Sequence, residues 1–440
     1  MSKKIIIAGG GHGGIAAGAF LAKNGFDVTV YERNDREHMG YDWTDIFDPG
    51  ALFAAGLDMP DEDKFEYKVN MTFYGPNEKT PIRQRVPEDE LEIKMERRHI
   101  YDMLIAHAEN AGVKFEYGHD IIAPVLCGDR VVGIKTDKGE FYGDMVIDAC
   151  GVESPIRANL PACCGIQKHP VEFEKFYVYR AFFNRATEEE PDEKYKVYLL
   201  PEGKLGIGWV ATEEEYTDLL IGRFEPFDMA EAERTAEYFR SKNPSLGTEV
   251  LRGGQFTEIS VRQPLSVLVA DGYAAIGDSA FMTVPIIGSG IANALKMARV
   301  LADVIIADTT QTYSAETLWK YQLDFYKTMG SGLAPLASVK LLLTRITPEQ
   351  LDYILDNGIL TWKELTITAN STNLSSMLSF SSDMPHRALM IVKNKELLKQ
   401  LLRVAGDIAK IVAVTAAIPK HYSRHAVKNW AKKYDDIFLS

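Results

Sequence analysis

A glycine-rich turn near the N-terminus constrains the fold more than any other feature of this sequence. A short apolar run, Lys3–Ala8, leads directly into the pattern G-x-G-x-x-G at residues 9–14. A helix-forming run follows the glycines, and a second apolar run ends just before Glu32. This order of strand, glycine turn, helix, strand and acidic residue predicts a dinucleotide-binding βαβ unit.

Each part of this unit has its own physical role. Gly9 permits the tight turn, Gly11 lets a pyrophosphate approach the backbone, and Gly14 lets the helix pack closely against the strand. The helix N-terminus faces the pyrophosphate, and Glu32 can accept hydrogen bonds from a ribose 2′-hydroxyl. The pattern alone does not distinguish FAD from NAD.

Composition and charge exclude several classes of protein. The 440 residues are 46% hydrophobic and 25% charged, which indicates a globular chain. Lys and Arg number 49 against 62 Asp and Glu, and this net charge of −13 argues against nucleic-acid binding. The four cysteines include no C-x-x-C pair, so we expect no disulfide framework, no metal site and a reducing, cytoplasmic location. The apolar tract Ile411–Ile418 is less than half of the roughly 18–20 residues that span a bilayer.

Two later segments resemble strand ends that carry functional groups. The apolar run 145–151 predicts a strand, and G-x-x-S-x-x-R follows at residues 151–157. A second strand-like run, 272–280, contains an acid, and P-x-x-G-x-G at residues 285–290 leads into a predicted helix that begins at Ile291.

With these motifs, the sequence resembles the FAD-dependent oxidoreductases of the para-hydroxybenzoate hydroxylase superfamily, and within it the geranylgeranyl reductase-like branch. The three elements match in order and spacing over roughly residues 1–300. The resemblance, with the strand and helix patterns, implies an α/β fold: a Rossmann-like FAD-binding domain, an inserted, mainly antiparallel β substrate domain and a C-terminal helical region. The expected boundaries are 1–75, 95–165 and 255–310 for the discontinuous FAD-binding domain, 76–94 and 166–254 for the substrate domain, and 311–440 for the helical region.

The resemblance also implies which residues contact FAD. Glu32 would hold the adenosine ribose, Arg98 the cofactor's linking region, and Asp278 the ribityl chain. Gly288 and Gly290 would let a helix N-terminus stabilise negative charge on the flavin pyrimidine ring. The complete set of expected cofactor-binding residues is Gly9, Gly11, Gly13, Gly14, Glu32, Arg33, Arg98, Ile121, Asp278, Pro285, Gly288, Gly290 and Ile291.

The sequence departs from the superfamily pattern at one position. Hydroxylases of the superfamily usually carry Asp-Gly after the middle strand, whereas this chain has Cys150-Gly151. The electron donor therefore stays open between NAD(P)H and a ferredoxin- or flavodoxin-type carrier. The sequence has no W-x-W-x-I-P segment, which disfavours a halogenase.

No catalytic residue is transferred from the family, but four aromatic residues are candidates for substrate contact. Tyr41 and Trp43 lie where the family places a loop near the flavin, with surface anchoring as the alternative. Tyr198 and Trp209 lie in predicted strands of the substrate domain, with core packing as the alternative.

Two enzymatic functions follow from the resemblance. The first is reduction of a carbon–carbon double bond in a small apolar substrate, such as a prenyl chain or lipid, by hydride transfer from flavin N5. The alternative is an FAD-dependent monooxygenase that hydroxylates an aromatic or other activated substrate. An electron-transfer flavoprotein ranks lowest, because the cysteines lack iron–sulfur spacing.

The C-terminal region differs in charge from the rest of the chain. Residues 384–440 contain eleven Lys or Arg and four Asp or Glu, with basic and apolar residues interleaved. This composition predicts peripheral contact with an anionic membrane surface, and docking against the acidic body of the protein is an equal alternative. An electron-donor protein is a further candidate partner.

Overall fold

A six-stranded sheet forms the first layer of the fold. The computed structural model describes residues 2–68, 70–171, 173–365 and 384–439. In spatial order the strands of this sheet are Val269–Ala270 (β18), Tyr273–Ala275 (β19), Met145–Asp148 (β12), Lys4–Ala8 (β1), Asp27–Glu32 (β2) and Lys114–Tyr117 (β8). All neighbours pair in parallel except β18 with β19. The central strands are buried on both faces, as their apolar runs predict.

A seven-stranded sheet forms the second layer. In spatial order its strands are Leu246–Ser260 (β17), Lys175–Arg185 (β13), Tyr216–Arg223 (β16), Gly206–Thr212 (β15), Tyr195–Leu199 (β14), Thr72–Tyr74 (β5) and Ile82–Arg83 (β6). The pairing is antiparallel except between β14 and β5. Alternate residues of each strand therefore face opposite sides of this sheet.

Two three-stranded antiparallel sheets complete the described β structure. One contains Thr44–Phe47 (β3), Ile93–Glu96 (β7) and Phe65–Tyr67 (β4), and the other contains Ile121–Cys127 (β9), Arg130–Thr136 (β10) and Gly139–Tyr142 (β11).

Helices flank the sheets and make up most of the C-terminal region. They are His12–Lys23 (α1), Gly50–Ala54 (α2), Arg97–Ala111 (α3), Pro155–Ala158 (α4), Met229–Lys242 (α5), Ile291–Ala307 (α6), Ala315–Phe325 (α7), Ser331–Leu343 (α8), Pro348–Asp356 (α9), Trp362–Leu365 (α10), Met384–Lys393 (α11), Lys395–Ala416 (α12) and Arg424–Phe438 (α13). A π-helical turn, Tyr326–Gly330, joins α7 to α8. Short 3₁₀ turns cover Arg36–His38, Glu62–Lys64, Glu88–Glu90, Ala162–Cys164, Pro201–Gly203 and Gly277–Ala280.

The predicted α/β fold, with its Rossmann-like domain, antiparallel sheet and C-terminal helices, is confirmed. The domain boundaries stay predictions. Strand β5 lies inside the range expected for the FAD-binding domain but pairs with β14 of the seven-stranded sheet. Residues 366–383 of the expected helical region lie outside the described residues.

The surface of α12 carries both apolar and basic side chains. Leu402 and Val412 are exposed, as are Lys399 and Arg403. Membrane-surface contact through this region stays a prediction. Within the described ranges, no helix is both long enough and apolar enough to cross a membrane.

A buried carboxylate joins the loops at the end of the central strand. Asp148, at the C-terminus of β12, is fully buried and accepts hydrogen bonds from the hydroxyls of Ser154 (2.6 Å), Tyr273 (2.8 Å) and Ser279 (3.0 Å). It also accepts the backbone N–H of Cys150 at 3.1 Å. The Asp148 carboxylate thus connects the serine of G-x-x-S-x-x-R to Ser279, in the segment that contains Asp278.

We expect Asp148→Ala to lower the free energy of unfolding by roughly 3 kcal/mol or more, because each buried donor left without an acceptor costs about 1–3 kcal/mol. Equilibrium urea denaturation of the FAD-free protein measures this loss. Ser154→Ala, which removes one hydroxyl from the network and the cap of α4, should cost only about 1 kcal/mol. Equal effects of the two substitutions would contradict a central role for Asp148.

Candidate active site

A single cavity of about 1200 Å³ runs from the glycine turn to one face of the seven-stranded sheet. It begins at the C-terminal ends of β1, β2 and β12, where parallel sheets bind ligands. Ligand pockets commonly occupy roughly 300–1,000 Å³. This cavity is therefore larger than most pockets that hold a single small ligand.

The glycine turn is pressed against the chain that leaves β12. Gly9 has a φ of +84°, and a Cβ there would lie 2.8 Å from the backbone oxygen of Ala149. A Cβ at Gly11 would lie 2.7 Å from the same oxygen. A Cβ at Gly14 would lie 2.8 Å from Ile7 Cγ2, so α1 packs on β1 at a distance that only glycine allows. The close approach of the backbone therefore requires glycine at these positions even before a ligand binds.

Glu32 lies on the cavity wall at the end of β2. Its Oε2 accepts the backbone N–H of Gly10 at 2.7 Å, and its Oε1 accepts that of Asn34 at 2.9 Å. A carboxylate has further lone pairs, so it can also accept hydrogen bonds from a ligand in the cavity. This geometry fits a ribose hydroxyl.

A half-buried polar cluster lies beside the start of α1. Arg97 donates to both oxygens of Asp45, from Nε at 2.6 Å and from Nη2 at 2.5 Å. His12 stacks on Tyr101 with ring centroids 4.5 Å apart, and its Nε2 has no hydrogen-bond partner within the described part of the chain. Burial, with a smaller contribution from Arg97, lowers the pKa of His12 to about 4. Burial alone would raise the pKa of Asp45, but the Arg97 guanidinium holds it below its usual value.

Of the two neighbouring arginines at the start of α3, Arg97, which sequence reasoning missed, borders the cavity and Arg98 does not. Arg98 is exposed, and its Nη1 donates only a long 3.5 Å bond to the backbone oxygen of Glu37. Consecutive residues of a helix point about 100° apart, so the two arginines of α3 cannot share a direction. The complementary charge of Asp45, on the strand next to β7, is the signal that could have identified Arg97.

The segment 285–291 lies on the cavity wall where α6 begins. Gly288 has a φ of +71°, and Gly290 is the N-cap of α6 without a side-chain cap. A Cβ at Gly290 would lie 3.1 Å from Asp278 Oδ1, which accepts the Thr283 hydroxyl at 2.7 Å. Burial raises the pKa of Asp278. The glycines thus bring the N-terminus of a 17-residue helix directly to the cavity.

Cys150 occupies the position of the missing acid and also borders the cavity. Its thiol donates to the backbone oxygen of Ala8 at 3.2 Å. Burial and the nearby Asp148 carboxylate raise its pKa well above the usual value, so the thiol is neutral at physiological pH.

Most of the predicted site residues meet in this one cavity. They are Gly9, Gly11, Gly13, Glu32, Arg33, Ile121, Asp278, Pro285, Gly288, Gly290 and Ile291, together with Tyr41, Trp43 and Trp209. Gly14, Arg98 and Tyr198 do not line it. The contacts of all these residues with FAD or substrate stay predictions.

Tyr198 lies in the core, in line with the packing alternative. Its neighbours Val197 and Leu199 face the cavity, so period-two alternation turns Tyr198 to the opposite side of β14. There its hydroxyl donates to Asn243 Oδ1 at 3.2 Å, and its ring packs 5.2 Å from that of Phe239 on α5.

Aromatic side chains surround a buried ion pair on the sheet side of the cavity, between β13 and β16. Arg180 binds Asp218 through two hydrogen bonds of 2.9 and 2.7 Å, and it also donates to the backbone oxygen and the hydroxyl of Thr44. Its guanidinium lies 4.9 Å from the ring centroid of Trp209 and 5.6 Å from that of Trp43. This cluster fixes Trp43 and Trp209 in the wall.

Comparisons with known proteins agree with the predicted resemblance. A family model described as an NAD(P)-binding Rossmann-like domain matches residues 7–59. The chain is 20% identical to a digeranylgeranylglycerophospholipid reductase of Sulfolobus acidocaldarius, over 98% of this chain and 96% of the relative. It is 22% identical to a 1H-pyrrole-2-carbonyl-[peptidyl-carrier protein] chlorinase of Pseudomonas fluorescens, over 72% of this chain and 79% of the relative. A solved geranylgeranyl bacteriochlorophyll reductase-like protein from Thermoplasma acidophilum superimposes with a TM-score of 0.73 at 20% identity, covering 90% of this chain and 99% of that protein.

These relatives define the class of protein. Geranylgeranyl-type reductases occur among them together with FAD-dependent halogenases and monooxygenases, so the predicted resemblance is confirmed. Halogenases were disfavoured by the missing tryptophan motif, yet they share this fold. The homologues indicate an FAD-dependent oxidoreductase, and the Rossmann-like domain and the glycine cradle fit that cofactor.

We expect Glu32→Gln to raise the dissociation constant for FAD about tenfold, because an amide oxygen replaces a charged acceptor. Titration of the FAD-free protein with FAD, followed by flavin fluorescence, measures this change. Glu37→Gln is a matched control, since Glu37 is exposed on the neighbouring 3₁₀ turn. An unchanged dissociation constant for FAD in Glu32→Gln would show that Glu32 does not bind the cofactor.

His12 should make the protein less stable in acid. The unfolded chain binds a proton at this histidine near pH 6.5, whereas the folded protein does so only near pH 4. Stability should therefore fall by up to about 3 kcal/mol as the pH drops through this interval. His12→Phe keeps the stacked ring without its titration, so urea denaturation from pH 7 to pH 4 should give a shallower decline. Equal slopes in the two proteins would contradict a buried neutral His12.

Proposed function

We propose that this chain is an FAD-dependent reductase that saturates a carbon–carbon double bond of an apolar substrate, such as a prenyl chain or lipid. The observation that carries the proposal is the continuity of the cavity. One end meets the dinucleotide-binding turn, and the other opens into an apolar chamber between the seven-stranded sheet and the C-terminal helices.

The chamber walls come from two parts of the chain. The sheet contributes Phe176, Val178, Val197, Leu199, Ile207, Trp209 and Leu220, and the C-terminal region contributes Val339, Leu343, Ile346, Leu351 and Leu360. Burial of a hydrocarbon chain against such walls is favourable by about 0.8 kcal/mol per methylene. An apolar substrate is therefore held by its chain, without a need for many polar contacts.

The residues of the first part of the cavity would hold the cofactor. Glu32 would bind the ribose, the glycine turn would receive the pyrophosphate, and the start of α6 would lie against the pyrimidine end of the flavin. Bound FAD supplies a hydride when reduced. Arg180 and Asp218, which satisfy each other, would keep the two tryptophans in place and leave the chamber free of unpaired charge at that end.

Relatives support the reductase as the leading candidate. A digeranylgeranylglycerophospholipid reductase aligns over nearly the whole chain, including the C-terminal helices that border the chamber. Fold neighbours that are monooxygenases support the alternative, an FAD-dependent monooxygenase. Electrons would come from NAD(P)H or from a ferredoxin- or flavodoxin-type carrier.

The test uses the purified holoprotein reduced with dithionite under strict anaerobiosis, so that the natural electron donor is not needed. We expect digeranylgeranylglycerophospholipid to reoxidise the flavin and to gain hydrogen, as measured by absorbance and by mass spectrometry. The fully saturated lipid should leave the flavin reduced. Ile207→Trp, which fills the chamber, should slow reoxidation at least tenfold while FAD is retained.

The same experiment distinguishes the alternative. Flavin that is reoxidised only after oxygen is admitted, with an oxygen atom found in the product, would support the monooxygenase and contradict the reductase. Equal rates of flavin reoxidation in the wild type and in Ile207→Trp would show that the substrate does not react in the chamber.

A further inference from the structure

A buried lysine stands inside the apolar chamber. Lys340, on α8, is only 4% exposed and borders the cavity. Its Nζ donates to the backbone oxygen of Phe173 at 2.6 Å and lies 5.7 Å from the ring centroid of Phe224. An ammonium group has three donors, so two remain for another partner.

No acidic side chain within the described residues forms an ion pair with Lys340. The acid that acts on it electrostatically, Glu174, is already bound to Arg262 at 3.0 Å and accepts the backbone N–H of Val171 at 2.8 Å. The charges of Arg262 and Arg345 add to the positive potential around Lys340. Burial lowers the pKa of Lys340 to about 8, as expected for a cation without a counter-ion.

Two other cations that border the cavity are paired with acids, and the fully buried Arg157 donates to three backbone oxygens, whereas Lys340 donates to one. Arg180 is paired with Asp218, and Arg97 with Asp45. A buried charge without a partner costs stability, so a protein normally pairs it or leaves it out. The missing partner of Lys340 can be supplied by a ligand.

The position of Lys340 suits the polar end of a chain-like molecule. Leu343, one helical turn further along α8, borders the same cavity and is 39% exposed. Residues three apart lie on the same face of a helix, so the buried Lys340 lies one turn from an exposed residue on the same wall of the chamber. A molecule held there by a charged group can extend its apolar part along the sheet.

We propose that Lys340 binds the anionic head group, a carboxylate or a phosphate, of an amphiphilic substrate whose hydrocarbon chain fills the chamber. This inference deepens the proposed function and rests on it for the chamber as the substrate site. Lys340 is then a specificity-determining residue that selects an acidic amphiphile over the neutral alcohol of the same chain.

The test measures binding to the oxidised holoprotein, without turnover. Three probes share one chain and differ in the head group: geranylgeraniol, geranylgeranoic acid and geranylgeranyl phosphate. Calorimetric titration at pH 7 should give at least one of the two acidic probes an affinity about ten- to a hundredfold above that of the alcohol. The acid that gains affinity identifies the head group as a carboxylate or a phosphate.

Three variants assign this preference to the lysine. K340M should lose the preference and keep the wild-type affinity for the alcohol. K327M is the matched control, because Lys327 is exposed on the preceding π-helical turn, and it should keep the preference. K340R retains a positive charge and tests the proposal if K340M fails to retain FAD.

The pH dependence separates a charge contact from a structural role. In the wild type the preference should decline as the pH rises above about 8, because Lys340 then loses its proton. In K340R it should persist, because arginine stays protonated. Glu174, Arg262 and Arg345 are present in both proteins, so they cannot produce this difference.

The proposal is overturned if neither acidic probe binds more tightly than the alcohol, or if K340M keeps the preference. Its failure differs from that of the proposed function. A lysine-dependent preference without any reduction would refute only the reductase, whereas reduction of prenyl substrates without any preference would refute only the role of Lys340.

Discussion

The whole site depends on the close contact between the glycine turn and the chain that leaves β12. The backbone oxygen of Ala149 would lie only 2.8 Å from a Cβ at Gly9 and 2.7 Å from a Cβ at Gly11, so any other residue at either position would force this backbone to shift. Asp148, one residue earlier, holds the loops around Ser154 and Ser279 by hydrogen bonds. The same few residues therefore fix the turn after β1, the loop after β12 and the segment before Asp278. These three pieces of backbone form the wall of the cavity at its dinucleotide end.

The charged side chains along the cavity differ in whether they have a partner of opposite charge. Arg97 is neutralised by Asp45 and Arg180 by Asp218, and the two guanidinium groups lie 5.7 and 5.6 Å from the ring centroid of Trp43. Between β13–β16 and the C-terminal helices the walls are mainly apolar. Lys340 has only a backbone carbonyl as its partner within the described residues. A low-dielectric wall strengthens any interaction with that charge, so a single lysine can influence which molecule enters.

The sequence predicted those features that depend on local patterns. The glycine turn, the buried strands and the start of α6 follow from the residues adjacent to them, and the structure has each of these elements at the expected place. The direction in which a side chain points was harder to predict. Arg97 and Arg98 are neighbours, yet only the first reaches the cavity, and Tyr198 faces away from it while Val197 and Leu199 face it. A shift of one residue reverses the side of a strand, and the apolar run at residues 197–200 has no alternation that would indicate which side faces the cavity.

Contacts between residues that are distant in the sequence were also not predicted. Asp45 and Arg97 are 52 residues apart, and Lys340 lies 167 residues from Phe173, whose carbonyl it binds. Such pairs arise from the packing of elements that are distant in the chain, which periodicity does not describe. The comparisons add that one fold supports reductases, halogenases and monooxygenases. A shared fold does not determine the reaction, which depends on the side chains of the site. In the proposed function those side chains line the chamber, where the C-terminal helices place Lys340 and Leu343 against the sheet.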